Sequence, residues 1–92
     1  MTDLRKAAKG ELCQVRIPTI CNNDRETVVL AHFRLLGISG LGIKSPDLLG
    51  AWCCSACHTY VDQSKEDYAQ LAFAHGVFRT QAKLIERHLV KW

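Results

Sequence analysis

The sequence predicts a small α+β domain in which a β-hairpin packs on helices, a long helix closes the chain, and a zinc ion adds stability that a 92-residue core lacks. Three observations carry this. Two runs, LCQVRI (residues 12–17) and TVVLAHF (residues 27–33), are rich in branched apolar side chains and read as strands. Four of the five cysteines fall into two pairs, Cys13 with Cys21 and Cys54 with Cys57, the second at CxxC spacing. From Tyr68 to Trp92, apolar residues recur at alternating intervals of three and four, the period of a helix face.

The length suits one domain spanning residues 1–92. Twelve basic against nine acidic side chains give a net charge of +3, which admits a nucleic-acid partner without demanding one. No window approaches the ~18 apolar residues of a membrane span, and MTDLRKAAKGEL lacks the apolar centre of a secretion signal, so no membrane association is expected. The expected compartment is the cytoplasm, where thiols stay reduced and clustered cysteines bind metal in preference to forming disulfides.

Residues 2–9 predict a short helix capped by Thr2 and stopped at Gly10. The strand over 12–17 and the strand over 27–33 then form the hairpin, joined by the turn chemistry of PTICNNDR. LLGISGLGIK (residues 35–44) is a glycine-rich loop, and its last glycine is not followed directly by the Lys-Ser or Lys-Thr pair of a phosphate cradle. Ser45 caps a turn of helix with Pro46 at its first position, and a further short helix starts in CSACHTYVD. The last helix is capped by Ser64 with Asp67. Its apolar face is Tyr68, Leu71, His75, Phe78, Ala82, Ile85, Leu89 and Trp92, whose heptad-like spacing suits a homodimer seam as well as packing on the hairpin. Arg79, Lys83, Arg87 and Lys91 line another face, either to meet a phosphate backbone or to keep the helix solvated. Gly76 weakens the helix by about 1 kcal/mol relative to alanine and is a candidate kink.

Two thiolates from one CxxC turn can share a tetrahedral zinc, and Cys13 and Cys21 supply the other two ligands, although their seven intervening residues exceed the usual spacing. Cys53 is then the spare cysteine. Two alternatives stand beside this: Cys13 and Cys21 as small buried apolar residues, and a redox-active CxxC, for which no βαβ context is evident. A four-thiolate zinc has no open position, so chemistry must come from elsewhere. His58 and Asp62, four residues apart, would lie on one helix face as nitrogen and oxygen donors for Mg²⁺, Mn²⁺ or Zn²⁺. His32 ends the second strand as either a structural or a functional residue, and His75 and His88 have no assigned role.

An AH step on a strand, a loop of some two dozen residues and a CxxCH opening a helix together resemble the HNH endonucleases of the ββα-metal fold. The whole chain is similar to the small YbcO-like nucleases of lambdoid prophages, from LRKAAKG through the Cys13/Cys21 segment, LAHFRL, PDLLGAW and CSACH to RTQA. That resemblance implies a metal-dependent endonuclease hydrolysing DNA phosphodiesters. His32 would be the general base, His58 a ligand of a catalytic Mg²⁺ or Mn²⁺, and Asp62 an additional ligand, beside a structural Zn²⁺. Arg5, Lys6, Arg34, Arg79 or Lys83 would hold the DNA backbone. The chain departs from the pattern at Ala31, where many members carry an Asp or His ligand, and at Leu49, where the usual asparagine would fall. Asp47 lies two positions from Leu49, within range to orient His32 or reach the metal. The departures favour a rival reading, a non-catalytic zinc-stabilised module that binds nucleic acid or protein.

Overall fold

The chain opens with one helical turn, α1 (Leu4–Ala7), because the Asp3 carboxylate accepts hydrogen bonds from the amides of Arg5 (3.0 Å) and Lys6 (3.3 Å). The computed structural model describes residues 3–34, 45–64 and 66–90. Thr2, the predicted cap, lies outside them. Gly10 ends the turn at φ +76°, a conformation that costs glycine nothing.

Residues 12–17 do not form the predicted strand. Arg16 takes a φ of +52° and its amide donates to the Cys13 sulfur at 3.5 Å, a turn incompatible with an extended run. Cys13, Gln14, Val15 and Ile17 are all buried, so the segment is wrapped into the core without alternating faces. One ladder-like bond remains, from the amide of Gln14 to the carbonyl of Trp52 at 2.7 Å. The chain next turns at residues 25–27, where Asp24 caps a short 3-10 turn.

The strand predicted over 27–33 is present as β1 (Val29–His32), but its partner is β2 (Gly50–Cys53), not residues 12–17. The two pair antiparallel, with Val29 opposite Cys53 and His32 opposite Gly50. Phe33 extends the pairing by donating to the carbonyl of Leu49. The predicted glycine-rich loop, residues 35–44, lies outside the described residues. Ser45 does not cap the following turn; its hydroxyl donates to the carbonyl of Phe33, and Pro46 leads into a 3-10 turn at residues 47–49.

Helix α2 (Ser55–Gln63) starts where the CxxC run predicts it, capped by the Cys54 sulfur. Helix α3 (Asp67–Glu86) is the expected long element, but Ser64 does not cap it: Ser64 closes α2, its amide donating to the carbonyl of Tyr60, and its hydroxyl accepts from the amide of Glu66 just before α3. The helix ends six residues short of Trp92, itself outside the described residues, because His88 adopts φ +57°. The amides of His88 and Leu89 return to the carbonyls of Ile85 and Leu84, the double bond pattern that terminates helices with a left-handed residue.

The face that α3 buries is not the predicted one. Ala69, Phe73, Gly76, Val77, Thr80 and Leu84 face the core, whereas Tyr68, Leu71, His75, Phe78, Ala82 and Ile85 are exposed. The inner face lies on β2, where the Thr80 hydroxyl oxygen accepts from the amide of Trp52 at 2.9 Å. Trp52 is 1% exposed and forms the centre of the core, with the Arg87 guanidinium 5.3 Å from its ring centroid. Arg79 donates to the carbonyl of Gln14 and Arg87 pairs with Glu11, each at 2.7 Å, so two members of the predicted basic face bind their own chain. No described helix is long and apolar enough to cross a membrane.

Gly76 does not kink α3; it admits another backbone. A Cβ there would stand 2.8 Å from Cγ2 and 3.0 Å from Cα of Val15. Gly76→Ala is therefore expected to destabilise the fold by about 1–3 kcal/mol through overpacking, outweighing the ~1 kcal/mol helix-propensity gain. Chemical denaturation of both proteins measures this, and an unchanged or raised midpoint would contradict the contact.

Candidate metal centre and a histidine–carboxylate pair

Cys13, Cys21, Cys54 and Cys57 converge with all four sulfurs within 4.8 Å of one another. They are the single group of three or more histidine, cysteine or carboxylate donors so gathered among the described residues. The Cys21 and Cys54 sulfurs are 3.8 Å apart. A tetrahedron with metal–sulfur bonds of about 2.3 Å has edges of roughly 3.8 Å, so the cluster has the dimensions of a zinc tetrathiolate. Donor chemistry agrees with geometry.

Local folding explains the convergence. The Arg16 turn presents Cys13, and the left-handed residues Thr19 and Asn23 (φ +66° and +58°) bracket Cys21. On the other side, Cys54 caps α2 and Cys57 occupies its first turn, with the amide of Cys57 donating to the Cys54 sulfur at 3.4 Å. Amide donors of this kind offset the charge of a thiolate. The two halves are laced together by Asn22 to the Ser55 hydroxyl (3.1 Å) and by the Ser55 amide to Thr27 (3.2 Å).

Cys53 is wholly buried beside the cluster and outside the tetrad. Its thiol donates to Cys13, which lowers the Cys13 thiol to about 4, while the same bond and burial push Cys53 upward. Burial also raises Cys21 and Cys57. Four thiolates around one cation would form a closed centre with no vacant coordination position.

The second constellation is at the opposite end of the hairpin. His32 closes β1 and Asp47 opens the 3-10 turn before β2, and Nε2 of His32 meets Oδ1 of Asp47 at 2.6 Å. The carboxylate is acceptor-only, which puts the ring proton on Nε2 and leaves Nδ1 as the imidazole's acceptor. The imidazole is 26% exposed and the carboxylate 44%, so the pair is reachable from solvent. Ala31 beside it is 1% exposed and belongs to the core.

His58 and Asp62 face each other across one turn of α2, with Nε2 3.6 Å from Oδ2 and both half-exposed. One nitrogen and one oxygen at that separation fit two positions around a small divalent ion. The two pairs do not merge into one tight donor group among the described residues. Helix α1 packs against β1 and the 47–49 turn, so Arg5, Lys6 and Lys9 border a groove along Val28, Val29 and Leu30. Sequence reasoning missed the buried Thr80 anchor and the Asn22–Ser55 brace; neither polar pair carries a spacing motif.

The chain is similar to known proteins over nearly its whole length. A family model described as "Putative nuclease YbcO" matches residues 2–88. Two relatives are each 46% identical over 95 residues, covering 99% of both chains: "Putative nuclease YbcO" of Escherichia coli (strain K12) and "Putative nuclease ybcO" of Enterobacteria phage 82. A solved structure, described as that of a putative bacteriophage protein from E. coli str. K-12 substr. MG1655, superposes with a TM-score of 0.78 at 41% identity. It covers 94% of this chain and 100% of its own.

If the tetrad is a zinc site, purified protein will carry one zinc per chain by elemental analysis. Cys13→Ser or Cys54→Ser will lose both the metal and the cooperative unfolding transition, and Cys53→Ala will keep the full zinc content. Metal retained in Cys54→Ser would contradict the assignment.

Proposed function

The chain belongs to the YbcO family, and from that premise we propose that it is an endonuclease of HNH type that hydrolyses DNA phosphodiesters, with His32 as general base. The observation that carries this reading is the 2.6 Å pairing of His32 with Asp47. A solvent-reachable imidazole at a strand end, held by a carboxylate with its second nitrogen left as acceptor, is equipped to take a proton from water. Asp47 sets the ring's tautomer and orientation, a role that compensates for Leu49 at the position of the family's asparagine.

His58 and Asp62 are the residues to hold a catalytic Mg²⁺ or Mn²⁺. Such an ion, when bound, stabilises negative charge developing on the phosphate and the leaving oxygen. Cys54 and Cys57, holding a zinc ion, would fix the start of α2 and hence the position of His58. Arg5 and Lys6, on the helix beside β1 and the Asp47 turn, would bind the phosphate backbone without reading sequence. Arg34 is exposed two residues beyond His32 and belongs to the same set. Arg79 is spent on Gln14 and is withdrawn from it.

The rival reading is a zinc-stabilised module that binds nucleic acid or protein without cutting. Ala31, buried in the core and unable to coordinate, favours it. The two readings separate in one assay. With Mg²⁺ or Mn²⁺, the wild-type chain is expected to nick supercoiled plasmid, and His32→Ala is expected to lose roughly 10²–10⁴-fold in rate while keeping its zinc. Asp47→Ala is expected to lose about 10–100-fold. Cleavage undiminished in His32→Ala would overturn the general-base role, and an inert wild-type chain that still retards DNA would establish the binding module.

A further inference from the structure

We infer that Gln81 of α3 is a positioning residue for the His32–Asp47 pair, acting through the 3-10 turn that carries Asp47. Its side-chain amide donates to the carbonyl of Leu48 at 2.7 Å, across 33 positions of sequence. Gln81 belongs to the RTQA stretch (residues 79–82), whose three polar members each hold the backbone of a different segment. Arg79 holds the carbonyl of Gln14 in the amino-terminal arm, and Thr80 holds the amide of Trp52 in β2. Gln81 holds the turn beside the proposed general base.

The carbonyls of that turn show what Gln81 contributes. Four follow one another from Pro46 to Leu49, and each has a donor. Pro46 accepts from the amide of Leu49 and Asp47 from the amide of Gly50, bonds that fix the turn's shape. Leu49 accepts from the amide of Phe33, while the Ser45 hydroxyl donates to the Phe33 carbonyl. Both flanks of the turn are therefore attached to the same residue of the neighbouring chain, which leaves the turn free to swing about it. The Leu48 carbonyl is the attachment off that line, and its donor comes from a separate helix.

Asp47 moves with the turn. Its carboxylate meets Nε2 of His32 at 2.6 Å, and a swing of about 1 Å would carry the two beyond hydrogen-bond range. Helix α3 braces the other partner as well, since Phe73 packs edge-on against Phe33, next to His32, with ring centroids 5.0 Å apart. Phe73 is buried in the core, whereas Gln81 is only partly buried and outside it. Removing the Gln81 amide thus separates positioning from stability.

The effect on rate rests on the nuclease reading, whereas the effect on the imidazole is read without cleavage. Long-range proton–nitrogen NMR on the isotope-labelled full chain, at about pH 8.5 and so well above the ordinary imidazole value of ~6.5, reports the tautomer of each neutral ring. The His32 signals are those absent in His32→Ala. In the wild-type chain they are expected to show a protonated Nε2 and a bare Nδ1. Gln81→Met keeps the side-chain length and removes the donor; it is expected to shift both nitrogens toward a mixture of tautomers while zinc content and cooperative unfolding persist. Gln81→Arg, which restores N–H donors, is expected to keep the single tautomer. In plasmid nicking, Gln81→Met is expected to lower kcat about three- to tenfold with KM unchanged, the loss of one ordinary hydrogen bond that touches no substrate.

The role is overturned by a single Nε2–H tautomer persisting in Gln81→Met, by its absence from the wild-type chain, or by loss of zinc and cooperative unfolding in Gln81→Met. An undiminished kcat in Gln81→Met beside an active wild-type chain overturns it too. A tautomer shift in Gln81→Met beside an inert wild-type chain would support the positioning of the pair and overturn the nuclease reading alone.

Discussion

The architecture depends on four sulfurs meeting at one point. Cys13 and Cys21 lie in a stretch with no regular structure that includes three left-handed residues, tied to the sheet by a ladder-like bond from Gln14 to Trp52. Cys54 and Cys57 begin the helix that follows the hairpin. Joining the pairs fastens the irregular arm to the β2–α2 junction, and the arm then fills the core with Val15 and Ile17 and approaches α3 at Gly76. A two-stranded sheet of four residues per strand is marginal alone. Here it is held on one side by the sulfur cluster and on the other by α3.

The hairpin also separates two kinds of chemistry. Its register places Val29 and Cys53 at the sulfur end and His32 and Gly50 at the other, about 10 Å apart at ~3.4 Å per residue. The closed, buried end supplies rigidity, and the end open to solvent carries an imidazole and its carboxylate. The short span transmits the first to the second, since every residue of β2 between them is buried.

The cysteine tetrad was legible because metal-ligating thiols follow characteristic spacings, and so was the helix capped by Cys54. Residues 12–17 were not, because the turn that aims Cys13 at the cluster outweighs the apolar alternation of LCQVRI. GAWC was missed as a strand for the opposite reason: all four residues are buried, and a strand buried on both sides shows no alternation. For α3, the helix was plain but its inner face was not. Close approach to β2 and Val15 selects small or polar residues there, Ala69, Gly76 and Thr80, so the outer row carries the stronger apolar pattern. His32 and Asp47 lie 15 residues apart in sequence, and no periodicity links them; the resemblance to a family drew attention to both.

Cys21 and Cys54 are separated by 33 positions along the chain. During synthesis the amino-terminal arm therefore leaves the ribosome with two of the four clustered thiols, before the hairpin and the first turn of the next helix emerge. Until then its thiols are exposed to oxidation or to capture by stray cations, and the early portion has nothing to fold onto. The four sulfurs can therefore meet only after the second thiol pair, Cys54 and Cys57, has been made.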